Sequence, residues 1–169
     1  NALFGALGNI AGSQATMNNF IWGNDKIQNY ETICGGTGAG PNFHGTSAVQ
    51  THMTNTRSTD PEILEARFPV RLEEYSIRKN SGGKGMFNGG DGVTRKLRFL
   101  EPMTVTTLCS HRRVKPFGVD GGEPGQCGKE WLEKKDGKLI RLEGNDSCEV
   151  KVNDLFVMET PGGGGFGSK

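Results

Sequence analysis

Apolar and polar positions alternate most cleanly over residues 93–99 and 103–109. Val93, Leu97 and Phe99 share one side of the first segment, and Met103, Val105, Thr107 and Cys109 share one side of the second. A period of two marks a strand with one buried face. FPVRLEEYSIRK, starting at Phe68, alternates Phe68, Val70 and Leu72, loses a beat at Glu73-Glu74 and resumes with Tyr75 and Ile77, which predicts a strand carrying a β-bulge. WLEKKDGKLIRL predicts a hairpin in which Asp136-Gly137 supplies the two positive-φ residues of a type I′ turn, and CEVKV with LFVMET predicts a last strand pair around Asn153-Asp154. NFIWG and YETICGG are short apolar pieces read as strand or loop.

Helical periodicity is scarcer. Residues 1–11 carry a stripe of Leu3, Phe4, Leu7 and Ile10, read as the end of a truncated helix that stops at Gly12-Ser13; with no initiator Met, the chain reads as a fragment. In THMTNTRSTDPEILEARFP, residues 51–69, Asp60 is a natural cap, Pro61 suits the first helical position and Glu62 sits near the positive end of the dipole. Phe68, standing before Pro69, is biased out of the helical region, so this helix should run about two turns. The pattern as a whole predicts a single domain over residues 1–169 of mainly β class (α+β at most): antiparallel strands and hairpins in a sandwich or barrel-like arrangement with one or two short helices.

Composition narrows the function classes. With 20 Lys+Arg against 19 Asp+Glu the formal charge is +1, which gives no electrostatic case for nucleic acid or a membrane surface. The 27 glycines far exceed the usual ~7% and lack a triplet period, so they point to tight turns in a folded domain. Cys34, Cys109, Cys127 and Cys148 show neither a CxxC pair nor a dense framework, a usage that fits a reduced, cytoplasmic setting.

The polar strip of residues 51–59 holds the best cluster of candidate chemistry. The His52 imidazole can exchange a proton near neutral pH, the Asn55 amide can orient a carbonyl or water, and the Arg57 guanidinium can grip a carboxylate or phosphate by two bonds. The same three residues also suit a loop that merely satisfies backbone groups ahead of a helix. His44 is close enough in sequence to share a site with His52, but a spacing of eight is no standard zinc pattern; His111 reads as a strand-end residue. Arg95 falls on the apolar face of its strand. It either escapes past a sheet edge or pairs with a buried carboxylate, for which Glu73, Glu74 and Asp91 are candidates. TPGGGGFG at 160–167 and GGTGAGPN at 35–42 offer bare backbone N–H groups to an anion, yet lack the Lys-Ser/Thr of a phosphate loop; a flexible or close-packed segment is the plainer reading.

Several long motifs occur in order: YETICGGTGAGPNFHGTSAVQTHMTNTRSTDPEILEARFPV, SGGKGMFNGGDGVTRKLRF, GGEPGQCG and ETPGGGGFG. Together they resemble the C-terminal part of the hydantoinase B/oxoprolinase family, in the form found in its ATP-dependent 5-oxoprolinase branch. The resemblance implies ATP-driven hydrolysis of 5-oxo-L-proline to L-glutamate, a step of glutathione turnover. It also implies a nucleotide-binding hydantoinase A-type region of the same protein outside this chain, any divalent metal held mostly outside it, and a homo-oligomeric full-length protein. By match to the motif, His52, Asn55 and Arg57 are carried over as site wall, His52 and Asn55 as catalytic and Arg57 as substrate-binding; Arg95, from its place on the apolar strand face, is a further substrate-binding candidate. The 5-oxoproline carboxylate gives Arg57 something to clamp. The isolated chain is expected to be inactive. A non-catalytic β scaffold, and part of another ATP-dependent amidohydrolase such as an N-methylhydantoinase, stand as alternatives.

Overall fold

A computed structural model describes residues 1–15 and 17–168. Two helices and nine strands follow in chain order: α1 (Ala2–Leu7), β1 (Asn18–Gly23), β2 (Gln28–Thr32), α2 (Pro61–Arg67), β3 (Val70–Arg78), β4 (Gly92–Phe99), β5 (Met103–Cys109), β6 (Lys129–Glu133), β7 (Leu139–Leu142), β8 (Asn145–Val150) and β9 (Leu155–Glu159). They form two antiparallel sheets, one ordered β2-β1-β5-β8 and the other β3-β4-β9-β6-β7. Both sheets are open, so the arrangement is a sandwich and not a barrel. Aromatic side chains lock the inner faces together: Phe20 of β1 stacks on Phe156 of β9 at 4.6 Å, and Trp22 meets the edges of Phe68 and Phe99. Each such buried ring contributes about 1.5–3 kcal/mol.

The local readings hold where one segment decides the matter. α2 begins at Pro61 under Asp60, whose Oδ1 accepts from Glu62 N at 3.0 Å, and ends at the extended Phe68. β3 and β4 change register between Leu72 and Glu74, which is the anticipated bulge. α1 stops earlier than the sequence suggested: Gly8 takes a left-handed φ of 66° and closes the helix five residues before Ser13. The β6–β7 turn is not type I′, because only Gly137 has positive φ; Gly137 N donates to Lys134 O, a type I turn followed by a left-handed glycine.

The pairing expected between β8 and β9 does not form. β8 lies against β5 in one sheet, while β9 runs between β4 and β6 in the other. β9 is buried at four consecutive residues, as a central strand covered on both faces must be. The turn between them instead moves the chain from sheet to sheet, held by Asp154. Its Oδ2 accepts from Lys134 Nζ and Lys151 N at 2.8 Å each, and its Oδ1 accepts from Lys135 N at 3.1 Å. Burial alone would lift this carboxyl, but the Lys134 ammonium and the two backbone N–H groups outweigh it and hold Asp154 below the ordinary carboxylate range. A depressed folded value means the stabilisation is complete above the unfolded value of ~3.9 and is lost as pH falls through the folded one. Asp154→Asn is therefore expected to cost about 1.5–3 kcal/mol at neutral pH and to flatten the acid side of the stability profile. Thermal melts between pH 7 and 3 check this; parallel profiles would show that the charge does not hold the turn.

Beyond β9 the chain enters a layer built almost wholly of backbone. Residues 162–165 are buried, and their N–H groups donate to Gln126, Gly90, Gly12 and Glu123 carbonyls in turn. A side chain on Gly162 would strike Ser81 O and one on Gly165 would strike Lys84 O, while Gly163 faces Thr37 O and Gly164 faces Phe117 O. Positions three apart thus face positions three apart, the periodicity of extended three-residue turns without internal hydrogen bonds. The glycine-rich motifs are the contact surfaces of this layer.

Candidate functional site

The strip between Gln50 and Asp60 crosses the end of β2 and is fixed at both ends. Upstream, Ala48 N donates to Asp91 O and Val49 N to Gly35 O; downstream, α2 buries Leu64 completely. In the middle, Thr56 Oγ1 donates to Thr32 O and Thr51 Oγ1 to Ala15 O. The strip separates two clefts of about 490 and 350 Å3.

The larger cleft lies between the strip and the β3–β4 face, with Cys34, Gln50, Asn55, Thr56, Ser58 and Tyr75 among its polar lining. Tyr75 is its fixed wall. The hydroxyl lies 3.4 Å from Cys34 Sγ and 3.0 Å from Ser58 Oγ, and the ring sits over the Arg95 guanidinium at 4.9 Å. Burial, with Cys34 alongside, pushes the Tyr75 phenol up to about 12, and burial likewise raises the Cys34 thiol. Both are protonated at neutral pH, so this cleft offers neutral hydrogen-bonding groups and no thiolate nucleophile.

The candidate residues separate. Asn55 faces the larger cleft, and His52 lines the smaller one with Phe4, Ser13 and Phe43. The His52 ring stacks on Phe4 at 5.8 Å, and Nε2 lies 2.7 Å from Asn1 Oδ1 and 3.3 Å from Ser13 Oγ. Its backbone is left-handed at φ 55°, an uncommon conformation for a side-chain-bearing residue. Partial burial lowers its pKa, which favours the neutral imidazole. Arg57 is exposed and, among the described residues, pairs with neither Asp60 nor Glu62. His44 is apart from His52, its Nδ1 accepting from Asn88 N at 2.9 Å.

Arg95 corrects an expectation. β4 is an inner strand, so no edge is available, and the partner is none of Glu73, Glu74 or Asp91. It is Glu31 of β2, on the opposite sheet, whose two oxygens accept from Arg95 Nη2 at 3.0 and 2.9 Å. At 1% exposure Arg95 lies beneath Tyr75. Gln50, which borders both clefts, drew no attention in the sequence. Its Nε2 donates to Thr32 O at 2.7 Å and to Thr56 Oγ1 at 3.2 Å, and its buried Oε1 has no partner among the described residues.

The glycine segment 162–165 does not fit a nucleotide. All four N–H groups of 162–165 are committed to carbonyls, so no cradle for a phosphate remains there. Among the described residues no three His, Cys, Asp or Glu side chains gather as a metal site. No helix among them is long and apolar enough to cross a membrane.

Comparison with known proteins agrees with the motifs. The chain is 48% identical over 169 residues to a 5-oxoprolinase of Dictyostelium discoideum, covering 100% of this chain and 13% of that protein. It is 49% identical over 156 residues to 5-oxoprolinase 1 of Arabidopsis thaliana, covering 92% and 12% respectively. The chain thus spans about an eighth of the length of these relatives. In fold it is similar to the ATP-dependent caprolactamase of Pseudomonas jessenii, with TM-score 0.77, 23% identity and coverage of 95% of this chain and 30% of that one. It is also similar to a nucleotide-free acetone carboxylase structure, with TM-score 0.73, 19% identity and coverage of 93% and 26%. The profile of hydantoinase B/oxoprolinase matches residues 1–169 from end to end, and the chain belongs to that family.

Proposed function

We propose that this chain is part of an ATP-dependent 5-oxoprolinase, which hydrolyses the ring amide of 5-oxo-L-proline to give L-glutamate with cleavage of ATP. The observation that carries the reading is the 48% identity to a 5-oxoprolinase along all 169 residues. Nucleotide handling falls to a hydantoinase A-type region outside this chain, a reading supported by the commitment of the 162–165 glycine segment to packing. In this reading the strip forms one wall of the substrate site. His52, neutral and beside Ser13 in the smaller cleft, is placed to move a proton there; Asn55 orients a carbonyl in the larger cleft; and Arg57, exposed on the strip between them, offers a two-point grip to a carboxylate, so the three serve one substrate only when the region outside this chain completes the site. Arg95 acts through Tyr75, which it holds from below.

A second reading also has a specific observation behind it. The His52 ring turns toward Asn1 and Ser13, the arrangement of a residue that fastens a loop. The decisive experiment is ATP-dependent glutamate formation by the full-length protein and its His52→Ala variant. The enzyme reading expects turnover to fall by roughly 10²-fold or more, as for a lost proton-transfer group, while the melting temperature moves little. A melting-temperature loss that accounts for the whole activity loss would make His52 a scaffold residue, and no 5-oxoproline turnover by the wild type would remove the reading altogether.

A further inference from the structure

We infer that Asn1 is the positioning residue of His52: its amide oxygen holds the ring proton on Nε2 and so leaves Nδ1 as the nitrogen that takes a proton during hydrolysis. For the reaction this rests on the 5-oxoprolinase reading; for the tautomer it rests on hydrogen bonds alone. Asn1 Nδ2 donates to Ser13 O at 2.9 Å. A carbonyl can only accept, so the Asn1 amide cannot turn over, and Oδ1 is the end that meets His52 Nε2 at 2.7 Å. Oδ1 also only accepts, and the hydrogen of that short contact therefore belongs to Nε2. The nearby hydroxyls agree. Thr51 Oγ1 donates to Ala15 O at 3.4 Å and offers a lone pair to the Ser13 hydroxyl 3.2 Å away, so Ser13 needs no acceptor on the imidazole. Both polar contacts of the ring, to Asn1 and to Ser13, are made by Nε2, and Nδ1 has no protein partner among the described residues.

Asn1 gives up a local role to do this. At a helix N-cap an Asn side chain ordinarily accepts from a free N–H of the first turn, but that of Asn1 makes no such bond to α1. Phe4, one turn along the same helix, stacks on the ring at 5.8 Å. α1 thus sets both the plane and the tautomer of the imidazole. Fastening the loop and moving a proton use different nitrogens, and the first role leaves the second nitrogen available. In the reaction the proton of an attacking water passes to Nδ1 as the water oxygen bonds to the carbonyl carbon. The imidazolium keeps its Nε2 hydrogen on Asn1 Oδ1 and returns the Nδ1 proton to the ring nitrogen of the lactam as the C–N bond breaks.

Three variants of the full-length protein test this. His52→Gln keeps an N–H donor at the position of Nε2 and has no basic nitrogen, so it should hold the melting temperature and lose roughly 10²-fold in kcat. Parental turnover by that variant would overturn the inference. Asn1→Leu should lower kcat about tenfold with little change in KM, the loss of one orienting hydrogen bond, and Asn1→Asp, which keeps an acceptor, should restore most of it. A carboxylate also stabilises the imidazolium, so in Asn1→Asp the acid limb of kcat/KM should move to higher pH by about one unit or more. No other titratable side chain lines the smaller cleft among the described residues, so the displacement reports on His52. Carbethoxylation reads the same displacement without substrate, because diethyl pyrocarbonate needs an unprotonated imidazole nitrogen. Labelling of His52, followed by peptide mass spectrometry, should rise through a higher pH in Asn1→Asp than in the wild type. Superimposed labelling curves would overturn the inference, even in inactive protein. The two readings fail separately. Displaced labelling in a protein that forms no glutamate would remove the 5-oxoprolinase reading alone, and superimposed curves in an active enzyme would remove the role of Asn1 alone.

Discussion

Gly163→Ala is expected to leave little or no folded protein. A Cβ built there lies 1.8 Å from Thr37 O and 2.2 Å from its carbonyl carbon, and both are backbone atoms that cannot swing aside. The Thr37 segment is itself pinned, because Thr37 N donates to Thr46 O and Gly90 N donates to Thr37 O. Gly163 is pinned as well, donating to Gly90 O and accepting from Gly83 N. Ordinary overpacking of a side-chain core costs about 1–3 kcal/mol because neighbours find new rotamers. Here there are no rotamers to find, so the cost should exceed about 4 kcal/mol, a large share of the ~5–15 kcal/mol that holds a domain together. At ~2–4 °C per kcal/mol for a chain of this size, the melting temperature should fall by about 10 °C or more. Gly8→Asn is the matched control. Gly8 has φ 66° but nothing within 4 Å of its added carbon, and Asn tolerates the left-handed region, so this variant should stay within ~1 kcal/mol of the parent. A Gly163→Ala protein melting within about 3 °C of the parent would show that the layer yields and does not set the packing.

That layer also explains what the sequence conceals. α2, the β3 bulge and the alternation of β4 and β5 are local: cap, proline and period are all read within about ten residues. Glycine has no side chain and therefore no hydrophobic period, so the segment 162–165, whose every backbone N–H is bonded, resembles a flexible tail when only its letters are seen. Strand pairing is hidden for a different reason. Alternation tells which face is buried but not which strand is adjacent, and Asn153-Asp154 looks like a hairpin turn although it carries the chain between sheets.

The site divides along the same line. Asn55 faces a cleft as its residue type suggested, but His52 faces another and Arg57 faces solvent, because Ala48 and His52 both take left-handed backbone and turn the strip between them. Gln50 could not be found without the structure. Its orientation rests on one carbonyl, Thr32 O, eighteen residues away, which fixes the amide and leaves the other end unpaired among the described residues.

Glu31 and Arg95 carry the other large expected effect. They are 8% and 1% exposed, and they join the two sheets through Arg95 Nη2; among the described residues Arg95 Nε and Nη1 are buried without partners. Burial lifts the Glu31 carboxyl above its ordinary value despite the guanidinium beside it, so the charges are held at a net desolvation cost. Removing one partner leaves the other as an uncompensated buried charge, and either Glu31→Leu or Arg95→Met should cost about 3–5 kcal/mol. The double variant should recover most of that loss, because two apolar side chains of similar volume need no desolvation and close the gap between sheets. Denaturant unfolding of all four proteins measures the coupling, and additive losses would refute it. The recovered double variant then separates stability from site geometry. With the guanidinium gone, Tyr75 loses the charge beneath its ring and keeps only Cys34 and Ser58 as partners, so the wall of the larger cleft is less firmly fixed. A full-length double variant of near-parental stability whose KM for 5-oxoproline rises severalfold would assign the pair to positioning Tyr75; an unchanged KM would leave it with joining the sheets alone.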